Sequence, residues 1–138
     1  MFLLDTCICL EMLLSQERAD EAERLLRRIE PRRGFMSQFT LYSLGITLFR
    51  FQRYEAFLRL IEDVCRSGFG LVKLEVEDLP IAVEAARAFR LGFDDAYQYV
   101  AAEKHGLVLV SLDAEFDCAP RGRRTPAQVL LALAAGGS

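Results

Sequence analysis

The sequence predicts an α/β protein built on a mostly parallel sheet with helices on both faces. Two observations carry this. Short apolar runs alternate along the chain with longer segments of helical periodicity, which is the pattern of strand–helix–strand units. In addition, two of the short runs end in a carboxylate: "MFLLD" ends at Asp5, and "LVLVSLD" leads to Asp113. Connections between parallel strands are right-handed, so the carboxyl ends of the strands share one edge. In open α/β sheets the functional crevice lies outside that edge.

The elements follow in order. Residues 2–4 read as a short buried strand, and "TCICLEMLLSQ" as the helix after it. "RADEAERLLRRIE" is amphipathic, with Ala22, Leu25, Leu26 and Ile29 at helical spacing. Pro31 and Gly34 stop it. "GFMS" is the second strand. "QFTLYSLGITLFRFQRYEAFLRLIEDVCRS" reads as two helices with a joint near Arg50–Arg53, and "GLVKLEV" as the third strand. "EDLPIAVEAARAFR" opens with acids and an early proline, as a helix start requires. "DDAYQYVAAEKHG" begins at an aspartate and closes at His105–Gly106. "LVLV" is the fourth strand, and "TPAQVLLALA" a terminal helix opened by a cap and a proline.

At 138 residues the chain is the size of one domain, 1–138. Such a chain buries about two thirds of its unfolded surface. No apolar stretch approaches the roughly 20 residues of a membrane span, so no membrane role is expected. The apolar start contains Asp5 and Glu11 and lacks a basic leader, so it reads as structure rather than a signal peptide. A cytoplasmic location is the expectation. Cys7 and Cys9 form a C-x-C pair in an apolar segment, far in sequence from the sole histidine, His105. With Cys65 and Cys118 they read as buried free thiols in a reducing compartment rather than zinc ligands.

The net charge of −3 makes the whole surface no attractor of polyanions, but the distribution is uneven. Two lysines, Lys73 and Lys104, leave fifteen arginines among the seventeen basic residues. They cluster in "RLLRRIEPRR" (Arg27, Arg28, Arg32, Arg33) and "RGRR" (Arg121, Arg123, Arg124). Such clusters either solvate a helix face or grip phosphates.

A third acid joins Asp5 and Asp113. Asp94 and Asp95 open the helix that leads into strand four, and that end of the helix lies on the crevice side. If strands one and four are neighbours, Asp5, Asp95 and Asp113 meet. Like charges in one crevice raise one another's pKa. A hard divalent cation, Mg²⁺ or Mn²⁺, removes that problem by taking carboxylate and water oxygens. It also activates water and neutralises charge on a phosphodiester. Taken singly, each aspartate reads as a helix cap or dipole partner rather than a ligand; taken together at one edge, they read as a site.

At this point the residues resemble a family. "FLLDTCICLEMLL" is similar to the opening of a PIN domain, in particular the VapC-type toxins of bacterial toxin–antitoxin pairs. "FDDAYQYVAAEKHGLVLVSLDAEF" resembles the second PIN signature, in which Asp–Ala opens a helix and Thr/Ser-x-Asp closes the next strand. "TPAQVLLAL" resembles the usual terminal segment. The resemblance implies a three-layer α/β/α sandwich and a metal-dependent endoribonuclease. It further implies a homodimer, often neutralised by a small antitoxin protein. By motif position Asp5, Asp95 and Asp113 are the metal-site acids, and Ser111 steadies the last acid or its metal.

One departure stands out. PIN toxins usually carry a glutamate in a segment like "S-x-x-T-x-x-E-L". Here the matching stretch is "SQFTLYSL", and the glutamate position is Ser43. A hydroxyl is a far weaker magnesium ligand than a carboxylate. Asp94, Glu11 and Glu115 are the acids near enough in sequence to be considered as replacements. None is assigned that role, and Glu11 falls about 240° round the helix from Asp5.

Three readings follow. The first is a PIN-type ribonuclease whose arginines track RNA, with binding that falls as salt rises. The second, motivated by Ser43, is a degenerate PIN domain that binds RNA or protein without turnover. The third is a receiver or aspartate-nucleophile phosphatase. It is disfavoured because neither lysine follows a strand's carboxyl end and Cys7 stands where a second aspartate is needed. The apolar stretch "LYSLGITLFRFQRYEAFLRLI" reads first as core helices, and alternatively as a dimer face or a groove for an antitoxin helix.

Overall fold

The computed structural model describes residues 1–136. Four parallel strands form one sheet: β1 (Phe2–Leu4), β2 (Gly34–Ser37), β3 (Gly70–Val72) and β4 (Val108–Val110), in the order β3-β2-β1-β4. Among the described residues seven α-helices connect and cover them: α1 (Thr6–Leu13), α2 (Ala19–Arg28), α3 (Gln38–Arg50), α4 (Tyr54–Ser67), α5 (Leu79–Phe89), α6 (Phe93–His105) and α7 (Pro126–Gly136). The architecture is the expected α/β sandwich with an all-parallel centre.

Side chains on a strand alternate between faces, and that alternation divides the core. Leu3 of β1 and Leu109 of β4 point to the α5–α6 side, where Ala96, Val100 and Phe116 are buried with them. Leu4 and Val110, one residue on, point to the opposite side with Ile8, Leu25, Val129 and Leu133 of α1, α2 and α7. Full burial of a Leu or Val side chain stabilises by about 1.5–3 kcal/mol, so a one-residue slip of β1 or β4 would cost most of that register's stability. The observed register pairs Phe2 with Val108 and Leu4 with Val110. The Asp5 N–H then donates to the Val110 carbonyl at 2.9 Å, one step past the ladder. Strands one and four are therefore neighbours, and Asp5 and Ser111 emerge side by side.

Several expectations need correction. The third strand stops at Val72 instead of running to Val76. The Leu74 N–H leaves the sheet to bond the Tyr97 hydroxyl at 2.9 Å, and Glu75 and Asp78 form a capping box around the 3₁₀ turn Val76–Asp78. Lys73 consequently does follow a strand's carboxyl end. That strand is β3, at the sheet edge two strands from Asp5, and Lys73 pairs with Glu75. Helix α1 ends at Leu13, three residues early, because Ser15 turns into a left-handed conformation (φ 50°). Helix α6 is capped by Gly92 and begins at Phe93, so Asp94 and Asp95 sit in its first turn, not at its cap.

The apolar stretch on α3 and α4 is core on one face only. Leu44 and Leu48 are buried, but Tyr42, Ile46, Phe49, Phe51, Tyr54 and Leu58 are all about half exposed or more, between 49% and 61%. Helical periodicity buries one face of this pair and leaves a second apolar face outside. Gly45 makes the close approach of α3 to α4 possible, since a Cβ there would stand 2.9 Å from the Phe57 ring. The thiols divide likewise: Cys9 is buried, Cys7 half-buried, and Cys65 and Cys118 exposed. Among the described residues no helix is long and apolar enough to cross a membrane.

Candidate active site

The carboxyl edge of β1 and β4 and the first turn of α6 enclose a hollow of about 260 Å³. Asp5, Asp95 and Asp113 all line it, as expected from their positions in the chain. Ser43 and Asp94 line it too. Ser43 thus stands at the position the family pattern gives to a glutamate, facing the same acids.

Asp5 is buried, at 5% exposure, and its carboxylate is held on both oxygens. Oδ1 accepts from the Thr6 N–H at 2.9 Å and from Gln98 Nε2 at 3.0 Å. Oδ2 accepts from Ser111 Oγ at 2.7 Å and, more weakly, from Cys7 Sγ at 3.5 Å. The Thr6 contact makes Asp5 the side-chain cap of α1. Capping and site therefore coincide in one residue.

Gln98 is the residue that sequence reasoning missed. It comes from the buried middle of α6 at 2% exposure, where an apolar neighbour would be ordinary. Its Nε2 also donates to Thr40 Oγ1 at 2.7 Å, and its Oε1 accepts from Ser37 Oγ at 2.6 Å. Ser37 and Thr40 are fully buried, and Ser37 caps α3 through the Thr40 N–H. Thr40 Oγ1 in turn lies 2.9 Å from Thr6 Oγ1. No buried side-chain polar atom among the described residues lacks a partner. The available signal was a glutamine inside the apolar helix run "AYQYVAA", since a buried amide needs several partners.

Ser111, fully buried, links the first acid to the last. Its Oγ donates to Asp5 and accepts from the Asp113 N–H at 3.0 Å. Asp113 then caps the 3₁₀ turn Ala114–Cys118 by accepting from the Glu115 N–H at 2.9 Å. That turn brings Glu115 round. One oxygen each from Asp95, Asp113 and Glu115 lie within 4.8 Å of one another. Glu11, by contrast, is spent at the far end of α1, accepting from the Arg18 N–H.

Electrostatics follow from this crowding. Asp95 has its pKa raised from 3.8 to about 7, first by burial and then by the charges of Asp94, Asp113, Asp5 and Glu115. Burial and the Asp5 charge push the Cys7 thiol up to about 11 and the Cys9 thiol to about 12, so neither is a nucleophile.

The arginines are dispersed. Arg28, Arg32 and Arg33 lie just before β2, at the amino edge of the sheet, opposite the acids. Arg33 sits over the Phe2 ring, and Arg27 and Arg32 pair with Glu23 and Glu30. Arg121 donates to the Leu107 carbonyl at the start of β4. Arg123 does reach the acid edge, but it is engaged there by the Ser111 carbonyl at 3.1 Å and by Asp117. Arg124 pairs through its backbone with β4. Of these seven residues, Arg123 is the one whose guanidinium lies at the acid edge.

Hard oxygen donors with no imidazole or thiolate among them suit Mg²⁺ or Mn²⁺. Two oxygens at opposite vertices of an Mg²⁺ octahedron are about 4.2 Å apart, so the Asp95–Asp113–Glu115 spacing fits such an ion after small movement.

Comparisons with known proteins agree with the fold. The sequence model of the PIN domain matches residues 2–121. The chain is similar in structure to a protein of a toxin–antitoxin complex from Klebsiella pneumoniae, at 23% identity and a TM-score of 0.73, covering 91% of this chain and 98% of that one. It is also similar to PAE2754 from Pyrobaculum aerophilum, at 25% identity and a TM-score of 0.67, covering 97% and 95%. A third similar structure is FitAcB from Neisseria gonorrhoeae, at 18% identity and a TM-score of 0.66, covering 92% and 99%. Among curated proteins no match is found.

Proposed function

Because the chain belongs to the PIN domain family, whose members are generally nucleases, we propose that it is a metal-dependent endoribonuclease of the VapC toxin type. The observation that carries this reading is the convergence of Asp5, Asp95 and Asp113 on one hollow at the carboxyl edge of the sheet. A bound Mg²⁺ or Mn²⁺ supplies charge neutralisation and water activation there. The chain supplies the rest. Asp5, Asp95 and Asp113 are the carboxylates that would hold the ion. Asp5 fixes Ser111, and Ser111 fixes the backbone of Asp113. Asp94, exposed beside them, adds negative charge that holds a cation near the edge and keeps a phosphate away until one is bound.

The partners of this reading are an RNA substrate, a small antitoxin protein and a second copy of the chain. The half-exposed apolar face of α3 and α4 is where the second copy packs. The same two helices and their joint also carry exposed charges of both signs, Arg50, Arg53 and Arg59 with Glu55, Glu62 and Asp63. A two-fold pairing lets each copy's arginines meet the other's acids.

Ser43 favours the second reading, a PIN domain that binds without turnover. One experiment separates them: purified protein is incubated with structured and single-stranded RNAs in Mn²⁺, Mg²⁺ or EDTA, beside Asp95→Asn. Metal-dependent cleavage that vanishes in the variant supports the nuclease. No cleavage by a folded protein leaves the binding module.

A further inference from the structure

We propose that a hollow of about 190 Å³ beside the outer edge of β4 is a second binding site, one that takes a phosphate group of an RNA strand. This rests on the RNA half of the reading above and deepens it; it needs neither the metal nor turnover.

The site is built at a sheet edge. β4 is the last strand in the order, and its Val108 N–H and Val110 carbonyl are turned inward, to the Met1 carbonyl and the Asp5 N–H. Backbone groups alternate in direction along a parallel strand, so those of Leu109 face outward. The chain then returns along this edge. Gly122 turns it in a left-handed conformation (φ 57°), and the Arg124 N–H donates to the Leu109 carbonyl at 2.8 Å. The hollow lies between this returning segment, β4 and the middle of α6. Arg121, Arg123, Arg124 and Tyr99 line it with the backbone of β4.

Its chemistry suits an anion. Three arginines and a phenol stand on the hollow, and no acid among the described residues does. Arg121 gives one of its five N–H groups to the Leu107 carbonyl at 3.0 Å, which lays its side chain along β4. Arg124 is exposed and, among the described residues, makes no side-chain hydrogen bond or ion pair. Tyr99 is buried, at 4% exposure; its hydroxyl accepts from the Arg121 N–H at 3.1 Å and keeps its own proton to donate. Arg123 closes the side toward the acids, where Asp117 and the Ser111 carbonyl hold it. Guanidinium forks match phosphate oxygens two donors at a time. Position then says which phosphate. Leu109 and Ser111 are about 7 Å apart along the chain, so the hollow lies beside the acid edge, not on it. An RNA strand crossing that edge brings a neighbouring phosphate to the hollow.

The test is RNA binding without cleavage: fluorescence anisotropy of a short single-stranded RNA in EDTA, over a range of salt. The proteins are the full chain, the double variant Arg121→Gln with Arg124→Gln, and Arg28→Gln with Arg32→Gln, which removes the same charge from the amino edge. Arg123 is left in place because it holds Asp117. The expected result is a loss of roughly tenfold in the first double variant, with a salt dependence shallower by about one to two phosphate contacts. The amino-edge variant should stay within about twofold. Arg124→Gln alone keeps the backbone bonds of the segment and should still weaken binding by about threefold. Inorganic phosphate at millimolar concentration is the second probe. If it displaces RNA from the parent but not from the first double variant, the hollow takes the free ion as well; if the variant loses RNA without such displacement, the hollow takes phosphate only within a strand. Either result supports the site. Equal losses in the two double variants, or binding by the first within twofold of the parent, would overturn the site and leave the RNA reading standing. No RNA binding by the parent would overturn both.

Discussion

Helices α4 and α6 are nearly equal in length and opposite in fate. Of the thirteen residues of α6, the seven from Ala96 to Ala102 are buried in succession; of the fourteen in α4, only Ala56 is. Yet α6 carries Gln98 in its middle and two acids in its first turn, whereas exposed α4 and its partner α3 carry Tyr42, Ile46, Phe49 and Leu58 outward. Polar groups were placed inside and apolar ones outside. Each helix does its work in a different place. Burying an amide is worthwhile where it holds Asp5 in position, and exposing aromatics is stable where another surface covers them.

That contrast can be broken at its strongest point first. Asp113→Asn should abolish metal-dependent RNA cleavage while circular dichroism stays unchanged. Full activity of the Asn variants of Asp5, Asp95 and Asp113 together would end the nuclease reading.

Next in size, Gln98→Leu fits the apolar helix but deprives Asp5 and Thr40 of a donor and Ser37 of an acceptor. A loss of about 3 kcal/mol in urea unfolding is expected, since each unsatisfied buried group costs about 1–3 kcal/mol. A neutral or stabilising result would mean the network relaxes freely.

The third test uses pH. Asp95 titrates near 7 when folded, against 3.8 ordinarily, so between those values the folded chain holds a proton the unfolded chain has lost. Its contribution to metal-free stability is therefore fully present below about 3.8 and is lost as pH rises through about 7. A cation must displace that proton. Mn²⁺ affinity should rise by about tenfold per pH unit below 7 and flatten above it. Affinity that is flat between pH 5.5 and 8 would remove Asp95 from the site.

The smallest expected effect on stability is on α3. Phe49→Arg should change monomer stability by no more than about 0.5 kcal/mol, and the proposed pairing through this face predicts a smaller mass for the variant than for the parent in light scattering. A large loss of stability would show that this face belongs to the fold after all.

Much of this protein was legible before its structure. The strand–helix alternation, the joint between α3 and α4 and the placing of Asp5, Asp95 and Asp113 at one edge follow from short-range patterns: apolar runs, caps, and acids just beyond a strand; that the three meet also required β1 and β4 to be neighbours. Those patterns are local, and the right-handed parallel connection turns them into a shared edge. Other features needed the tertiary structure, because they depend on which atoms distant in sequence meet, across as many as 106 residues for Ser111 and Asp5. Gln98 reads as an interruption of an apolar helix until Asp5, Ser37 and Thr40 surround it. Glu115 reads as one more surface acid until the turn capped by Asp113 brings it to Asp95. The arginines share sequence clusters but point to opposite ends of the sheet. The sequence by itself determined the layers and the acids of the edge. Only folding decided that Asp5 is filled with hydrogen bonds, because its donors come from α1, from α6 and from the residue after β4.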